Sequence, residues 1–317
     1  MTPPDSAGDW FTRATSRWRD WDLAELLAAK RRRRISVVIP ARNEAATITG
    51  IVAAIRRELM TAVALVDELL VIDSDSTDVT AIVAATAGAR VHSAAAIRPE
   101  LGRHPGKGEA LWKSQFVSSG DFLVFIDADL TEWGPHFVTG LLGPLLTNPA
   151  VLLVKGFYDR LLDEGTRQPS LQGGRVTELV ARPLLSLHWP QLGKVVQPLA
   201  GEWAIRRDTF ATLPVPVGYG VEMSTLLDVY REHGPNAIAQ VDLGARGHSH
   251  QSVHDLALMA AEILAVAHRR LGQPVPARAE LRQYQRTSSP PWRVRPIPLA
   301  ERPPARAAAV PDEEGQR

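Results

Sequence analysis

The chain has 317 residues, of which 45% are hydrophobic, so it can bury one large core or two fused smaller ones. Lysine and arginine (36 together) almost cancel aspartate and glutamate (35 together), so the charge balance does not indicate a nucleic-acid partner. The absence of cysteine excludes disulfides, thiolate metal sites and cysteine nucleophiles, and it agrees with a reducing, cytoplasmic location.

The first 34 residues are interpreted as an N-terminal helical and basic segment. They carry charge and tryptophan where a signal peptide needs an apolar core, so we do not expect secretion. The run KRRRR (30–34) is typical of a membrane or acidic-partner contact or of a solvated segment, and we favour the solvated segment. The longest uncharged run, Phe137 to Val154, contains Pro144 and Pro149, which predicts a helix, a turn and a strand and no stable membrane insertion.

From Ile35 to about residue 150, short apolar runs alternate with amphipathic ones, which predicts an α/β fold with a Rossmann-like sheet and helices on both faces. The predicted strands are ISVVIPA (35–41), DELLVID (67–73), ARVHS (89–93) and DFLVFIDADL (121–130). Helices are expected after each of the first three strands, and they follow PARNE (40–44), the acidic loop DSDSTD (73–78) and HPGKGEALWKS (104–114).

Residues 151–272 show a less regular pattern that we expect to build a second substrate site. Its predicted elements are a strand at 151–158, a helix from about 174 to 187, the segment GEWAIRRDTF (201–210), a helix opened by GYGVEMS (218–224), a strand at 237–244 and a long helix at 254–271. The tail from Gln273 holds nine prolines and eight arginines, so we expect it to be extended, either disordered or wrapped over a neighbour.

Polar motifs follow the predicted strands at the edge where open parallel sheets bind ligands. Asp127 and Asp129 are separated by one residue, so in an extended chain their carboxylates lie on the same face. A hard divalent cation such as Mg²⁺ would relieve the repulsion between them. Lys107 lies between Gly106 and Gly108, where backbone can approach a diphosphate closely. Each motif alone is common as a solvated strand end or a turn, and their shared position is what indicates a site.

The sequence resembles the nucleotide-sugar glycosyltransferases of the GT-A fold and, within them, the actinobacterial glucosyl-3-phosphoglycerate synthase family. The resemblance runs from about Trp21 to Leu271, and its most specific part is GGRVTELVARPLL, since nothing generic about sugar transferases requires it. The other motifs that carry it are LAELLAAK, ISVVIPARNE, DSDSTD, GKGEALWKS, FIDADL, GYGVEMSTLLD and AIAQVDLGARGH.

This resemblance implies glucose transfer from UDP-glucose to 3-phosphoglycerate with retention, in methylglucose lipopolysaccharide biosynthesis. It makes residues 35–150 the nucleotide-sugar-binding half, 151–272 the acceptor-binding half and 273–317 a Pro/Arg-rich tail, and it suggests a homodimer. The partners it implies are small-molecule substrates, with a divalent metal, Mg²⁺ or Mn²⁺, as cofactor.

The resemblance also assigns residues. It implies that Asp129 and His248 bind the metal, that Arg246 offsets charge on the departing diphosphate, and that Glu222 orients the sugar, so that Glu222, Asp129 and Arg246 are the catalytic residues. No carboxylate nucleophile is identified, and the implied mechanism is front-face attack. The donor-binding residues implied are Pro40, Ala41, Asn43, Glu44, Ser74, Lys107, Asp127 and Tyr219.

The acceptor carries a phosphate and a carboxylate, and the segment GGRVTE answers this need. Gly174 leaves backbone N–H groups open, Arg175 can donate two hydrogen bonds to an anion, and Thr177 adds a hydroxyl, although the same pattern is typical of an ordinary glycine-led helix start. His250 and Gln251 complete the predicted acceptor site, where the family has asparagine and arginine.

This departure leaves a different small phosphorylated or carboxylated acceptor open. Two further alternatives are a polyprenyl-phosphate sugar transferase, which usually carries a membrane anchor, and a nucleotide-sugar-binding module that has lost catalysis.

The substitution Gln251→Arg should tighten 3-phosphoglycerate binding by about tenfold to a hundredfold, because it restores the charge-assisted contact that the family's arginine makes with the acceptor. Steady-state kinetics with varied 3-phosphoglycerate measures this as a lower KM. An unchanged KM would mean that Gln251 is neutral or that the acceptor differs.

Overall fold

An eight-stranded sheet runs through the part of the chain that the computed structural model describes, namely residues 9–161, 174–247, 252–286 and 289–308. The strands are β1 Thr15–Arg17, β2 Ile35–Ala41, β3 Glu68–Asp73, β4 Arg90–Ser93, β5 Phe122–Phe125, β6 Leu153–Leu161, β7 Trp203–Arg206, β8 Val215–Pro216, β9 Ile238–Gly247, β10 Glu280–Tyr284, β11 Trp292–Pro296 and β12 Glu301–Arg302. The order in the large sheet is β1-β9-β6-β7-β5-β2-β3-β4. Only β7 runs antiparallel to its neighbours in the described sheet.

Helices cover both faces of this sheet. They are α1 Trp10–Ala14, α2 Leu23–Lys30, α3 Ile48–Ile55, α4 Thr80–Ala87, α5 Lys107–Ser114, α6 His136–Thr147, α7 Arg182–His188, α8 Arg207–Phe210, α9 Val221–His233, α10 Val253–Arg270 and α11 Ala305–Ala308. A π-helical turn, Arg56–Thr61, continues α3, and another, Thr177–Ala181, precedes α7. Among the described helices, none is both long enough and apolar enough to span a bilayer.

Strand alternation creates two cores, one on each face. On β2, Val37 and Ile39 are fully buried in the core that contains α2, α3 and α6, whereas Val38 is fully buried in the core that contains α5, α9 and α10. Near-continuous apolar strands such as β2 are therefore what a sheet covered on both faces requires. The predicted α/β architecture, with its sheet and flanking helices, is confirmed.

The predicted segments share this one sheet. β1 comes from the N-terminal segment and pairs with β9 from the second half, and β5 and β7 join the two halves. The division at residues 34, 150 and 272 stays a prediction.

The predicted fourth strand, 121–130, is longer than the observed strand β5, which ends at Phe125. Its pairing with β2 ends at Phe125 opposite Val38, and only the N–H of Ile126 still donates to Val38 O, at 3.2 Å. Asp127 and Asp129 therefore lie beyond the strand, where their carboxylates form ion pairs with Lys107 and Arg246.

The described residues of the tail are not disordered, because they form strands that pair within the same chain. The alternative that the tail wraps over a neighbour stays a prediction. β10 pairs with β11, and β12 pairs with β8. Arg302 donates two hydrogen bonds to the buried carboxylate of Glu109, at 2.7 and 2.6 Å, and Trp112 Nε1 donates to Pro303 O at 2.7 Å. Composition could not indicate this, since Arg302 and Glu109 are 193 residues apart.

Two glycines allow the loop before α5 to lie against β8. Gly106 has φ +129°, and a methyl group on Gly108 would lie 1.8 Å from Pro216 O. Gly108 N donates to Gly218 O at 3.1 Å, so backbone contacts backbone directly here.

Gly108→Ala should therefore destabilise the chain by about 1–3 kcal/mol, because backbone must move to admit the methyl group. Gly50→Ala in α3 is the matched control: its methyl group meets nothing within 4 Å, and it should stabilise by up to about 1 kcal/mol. Urea unfolding measures both, and equal effects would contradict the close approach.

Candidate active site

A cleft of about 840 Å³ opens at the carboxyl-terminal edge of β2, β3 and β5. Most of the predicted site residues line it, although they come from distant parts of the chain. Those that line it are Pro40, Ala41, Glu44, Ser74, Lys107, Asp127, Asp129, Gly174, Arg175, Thr177, Tyr219, Glu222 and Arg246.

Four predicted site residues are not placed in the cleft. Asn43 does not line it, and its side-chain oxygen accepts a hydrogen bond from Thr77 N at 2.8 Å, which fixes the loop after β3 beside the loop after β2. His248, His250 and Gln251 lie outside the described residues. Their roles stay predictions.

Five charged side chains in the cleft form a continuous chain of ion pairs. Lys107 Nζ lies 2.7 Å from Glu222 Oε1 and 2.6 Å from Asp127 Oδ1. Arg246 Nη2 lies 3.1 Å from Asp127 Oδ2 and 3.0 Å from Asp129 Oδ1. The alternating order Glu222, Lys107, Asp127, Arg246, Asp129 balances charges that would otherwise repel, and we call it the ion-pair chain.

Local sequence explains how Lys107 reaches this position. It is the first residue of α5, and the N–H groups of Gly108 and Glu109 donate to Gly218 O and Val217 O at 3.1 and 2.9 Å. These bonds hold the start of α5 beside the start of α9, which carries Glu222.

Burial and charge determine how these groups titrate. Burial opposes the charge of Lys107, but Asp127 and Glu222 outweigh it and raise the pKa of the lysine well above its usual value. Burial likewise opposes the ionised form of Asp127, but Lys107 and Arg246 outweigh it and hold the pKa of that carboxyl well below its usual range. Both groups are therefore charged at neutral pH.

The donor set suits a hard divalent cation. Burial, followed by the negative charges of Asp129 and Asp127, raises the pKa of Glu44 to about 7, so the carboxylates crowd this end of the cleft. Among the described residues, no group of three or more His, Asp or Glu side chains could hold a metal alone. Mg²⁺ and Mn²⁺ take one or two carboxylates and leave positions to water and substrate phosphate, which fits Asp129 with the predicted His248.

Gly174, Arg175 and Thr177 form another wall of the same cleft. Thr177 is buried and begins the π-helical turn, and Gly174 O accepts a hydrogen bond from Glu178 N at 3.0 Å. The predicted glycine-led helix start is thus present and lines the same cleft as the ion-pair chain.

Comparisons with known proteins agree with this geometry. Residues 36–211 match the family described as Glycosyl transferase family 2. The chain is 46% identical to the glucosyl-3-phosphoglycerate synthase of Mycolicibacterium smegmatis over 263 residues, which cover 83% of this chain and 86% of that protein. The chain belongs to the glucosyl-3-phosphoglycerate synthase family.

Solved structures of a family member extend this relation. The Mycobacterium tuberculosis enzyme in complex with Mn²⁺, UDP-glucose and phosphoglyceric acid has a TM-score of 0.82 at 45% identity, covering 91% of this chain and 95% of that one. The same enzyme in complex with Mn²⁺, UDP and glucosyl-3-phosphoglycerate also has a TM-score of 0.82, at 44% identity, covering 91% and 96%. The family resemblance drawn from the motifs is confirmed.

Sequence reasoning missed a buried layer beneath the ion-pair chain. Glu202 is fully buried, and its carboxylate lies 3.4 Å from Arg246 Nη1, which also donates to the hydroxyl of Tyr158 at 2.6 Å. Burial raises the pKa of Glu202. The only sequence signal was a carboxylate next to the apolar run of β7, which does not reveal its partner.

Lys155 is a second missed residue. It is almost fully buried in β6, and its Nζ donates to Ala200 O at 2.7 Å. Burial lowers its pKa to about 8. The charges of Glu222, Lys107 and Asp127 act on Lys155, so this buried lysine lies near the ion-pair chain.

Glu262 of α10 yields a pH-dependent prediction. It is 3% exposed, and its Oε2 accepts a hydrogen bond from Tyr219 N at 2.6 Å. Burial, together with the charge of Glu222, raises its pKa from 4.5 to about 7. Between pH 4.5 and about pH 7, the Glu262 carboxyl is protonated in the folded chain but ionised in the unfolded chain. The free energy of unfolding therefore falls as the pH rises through this range.

Glu262→Gln should therefore be nearly as stable as the wild type at pH 5 and more stable at pH 8, by up to about 3 kcal/mol. Denaturant unfolding at the two pH values measures this, with the exposed Glu280→Gln as control. The same difference at both pH values would contradict the raised pKa.

Proposed function

We propose that this chain transfers glucose from UDP-glucose to 3-phosphoglycerate and produces glucosyl-3-phosphoglycerate. The observation that carries the proposal is one cleft that is lined both by the ion-pair chain and by Gly174, Arg175 and Thr177. Lys107 and Arg246 can bind a diphosphate, and the helix start can bind the anionic acceptor. Both line the same cleft. Family relatives bound to Mn²⁺, UDP-glucose and phosphoglyceric acid support the same assignment.

The donor binds at the strand ends. Pro40, Ala41 and Ser74 lie where β2 and β3 end, beside which the nucleoside binds. Lys107 and Arg246 already have carboxylate partners, so the diphosphate enters a preorganised charge network and replaces part of it.

Asp129 and His248 would hold the divalent cation. A cation there would offset negative charge on the diphosphate as it departs. Asp129 is the most exposed carboxylate of the ion-pair chain, with 31% of its side chain accessible, against 20% for Asp127 and 5% for Glu222. Asp129 is therefore the carboxylate best placed to release Arg246 and bind a metal ion in its place.

Retention of configuration follows from front-face attack. Glu222 Oε1 is paired with Lys107 Nζ at 2.7 Å, which favours an orienting role for this carboxylate over a nucleophilic one. The leaving phosphate oxygen takes the proton of the acceptor hydroxyl, while Lys107 and Arg246 stabilise the charge that develops on the diphosphate. Tyr219 precedes α9 and lines the same cleft as Glu222, which supports the implied contact of Tyr219 with the sugar.

We also propose that the protein works as a homodimer in the cytoplasm, in methylglucose lipopolysaccharide biosynthesis. The family resemblance supports the dimer and the pathway, and the absence of cysteine agrees with the location.

The proposed function is tested by UDP release from UDP-glucose with Mg²⁺ or Mn²⁺, in the presence of 3-phosphoglycerate or of other small phosphorylated acids. Metal-dependent release that needs 3-phosphoglycerate, with a glucosylated product identified by mass, is the expected result. Slow hydrolysis of UDP-glucose at a rate that does not depend on 3-phosphoglycerate would contradict the assignment of 3-phosphoglycerate as the acceptor. It would still agree with UDP-glucose as the donor.

Asp129→Ala should abolish transfer, because it removes the carboxylate proposed to bind the metal, and it should leave the fold intact since this residue is partly exposed. Product formation and the circular dichroism spectrum measure the two effects. A folded, fully active variant would exclude the metal assignment.

A further inference from the structure

A second recess, of about 450 Å³, lies at the amino-terminal edge of β2 and β5. The active-site cleft is at the carboxyl ends of the same strands, so the recess is at the opposite edge of the sheet. Four arginines line it: Arg33, Arg206, Arg207 and Arg306. Arg33 belongs to the basic run 30–34, for which the proposed function has no use.

None of these four guanidinium groups pairs with a carboxylate anywhere in the described chain. Arg33 and Arg206 donate to backbone carbonyls, including Leu146 O at 3.1 Å and Val151 O at 2.9 Å. Arg207 donates to Ser118 Oγ at 2.8 Å. These bonds orient the arginines, and the nearby carboxylates of Asp121 and Asp208 offset only part of their positive charge.

The two carboxylates in the recess accept hydrogen bonds from backbone. Asp121 accepts from Arg34 N at 2.7 Å, and Asp208 accepts from Thr209 N at 2.8 Å. Four positive charges thus face two negative ones, and the recess keeps an excess of positive charge.

The arginines are held in place by packing. The guanidinium carbons of Arg33 and Arg206 lie 5.0 and 5.3 Å from the ring centre of the buried Phe122. Burial and the nearby Arg33 lower the pKa of Arg206, and burial lowers the pKa of Arg207. An anion that reached this recess would relieve this repulsion between positive charges.

The tail supplies the fourth arginine. Arg306 N in α11 donates to Ala211 O at 3.0 Å, which docks the tail beside α8. The Arg306 side chain is exposed and has no hydrogen bond of its own among the described residues. Within the described part of the chain, its guanidinium group can therefore contact a ligand without breaking a hydrogen bond or an ion pair.

A purely structural role explains the backbone bonds of Arg33 and Arg206, but not the convergence of four unpaired arginines in one recess. Guanidinium groups match phosphate oxygens in geometry and charge. We propose that this recess is a second anion site, separate from the active site, which binds a phosphate group.

Isothermal titration with inorganic pyrophosphate tests the site in the full chain, with the active-site cleft saturated by UDP and Mg²⁺ so that the heat reports on the recess. Arg306→Glu should weaken binding at this recess by about tenfold or more, since it replaces an attractive charge with a repulsive one. Arg278→Glu is the matched control, because Arg278 is also exposed in the tail but does not line the recess. It should bind as the wild type does.

Arginine modification by phenylglyoxal, mapped by mass spectrometry, gives a second readout on the wild-type chain. Pyrophosphate should protect Arg207 and Arg306 and leave Arg278 reactive. Sedimentation with phosphatidic acid or phosphatidylcholine vesicles separates the sources of the phosphate. Binding to phosphatidic acid alone, lost in Arg306→Glu, identifies a lipid headgroup, and pyrophosphate binding that is weakened in Arg306→Glu identifies a free molecule. Either supports the site. Equal binding by Arg306→Glu and the wild type, or no binding to either probe, would overturn it.

Discussion

The ion-pair chain from Glu222 to Asp129 is the constraint on which the site depends. Its members come from the start of α5, the segment after β5, the start of α9 and the end of β9, so it joins four distant parts of the sequence. Removing charges from water is costly unless each has a partner, and every member here has one. The carboxylates and cations that a nucleotide diphosphate and a metal need are therefore present in a folded, balanced form before any ligand binds.

The surrounding fold keeps this chain in register. Gly106 and Gly108 let the loop before α5 touch the backbone at Pro216 and Gly218, which fixes Lys107 relative to Glu222. The tail then adds Arg302, which pairs with Glu109, two residues after Lys107. Below, Glu202 faces Arg246 from a fully buried position. The two glycines, Arg302 of the tail and the buried Glu202 thus all limit where the side chains of Lys107 and Arg246 can lie.

Much of this could be predicted from sequence. β2 was predicted with its observed bounds, because a run of apolar residues ended by PARNE is a strong local pattern. The carboxylates Asp127 and Asp129 and the cation Lys107 were predicted to meet, since strand ends in a parallel sheet share one edge. Glu202, Lys155 and Arg302 could not be assigned, because each is a single charged residue whose partner lies far away in the chain. The end of β5 was missed for a related reason: the partners that Asp127 and Asp129 meet beyond the strand, Lys107 and Arg246, lie far away in the chain.

A double-mutant cycle between Lys107 and Glu222 tests this account most directly. Free energies of unfolding would be measured for Lys107→Met, Glu222→Gln and the double variant by denaturant titration. Because Lys107→Met leaves Glu222 as a buried, unpaired charge, the double variant should be less destabilised than the sum of the single variants, with a coupling energy of about 2 kcal/mol or more. Single effects that add to within about 0.5 kcal/mol would contradict the claim that this chain of charges is one interdependent unit.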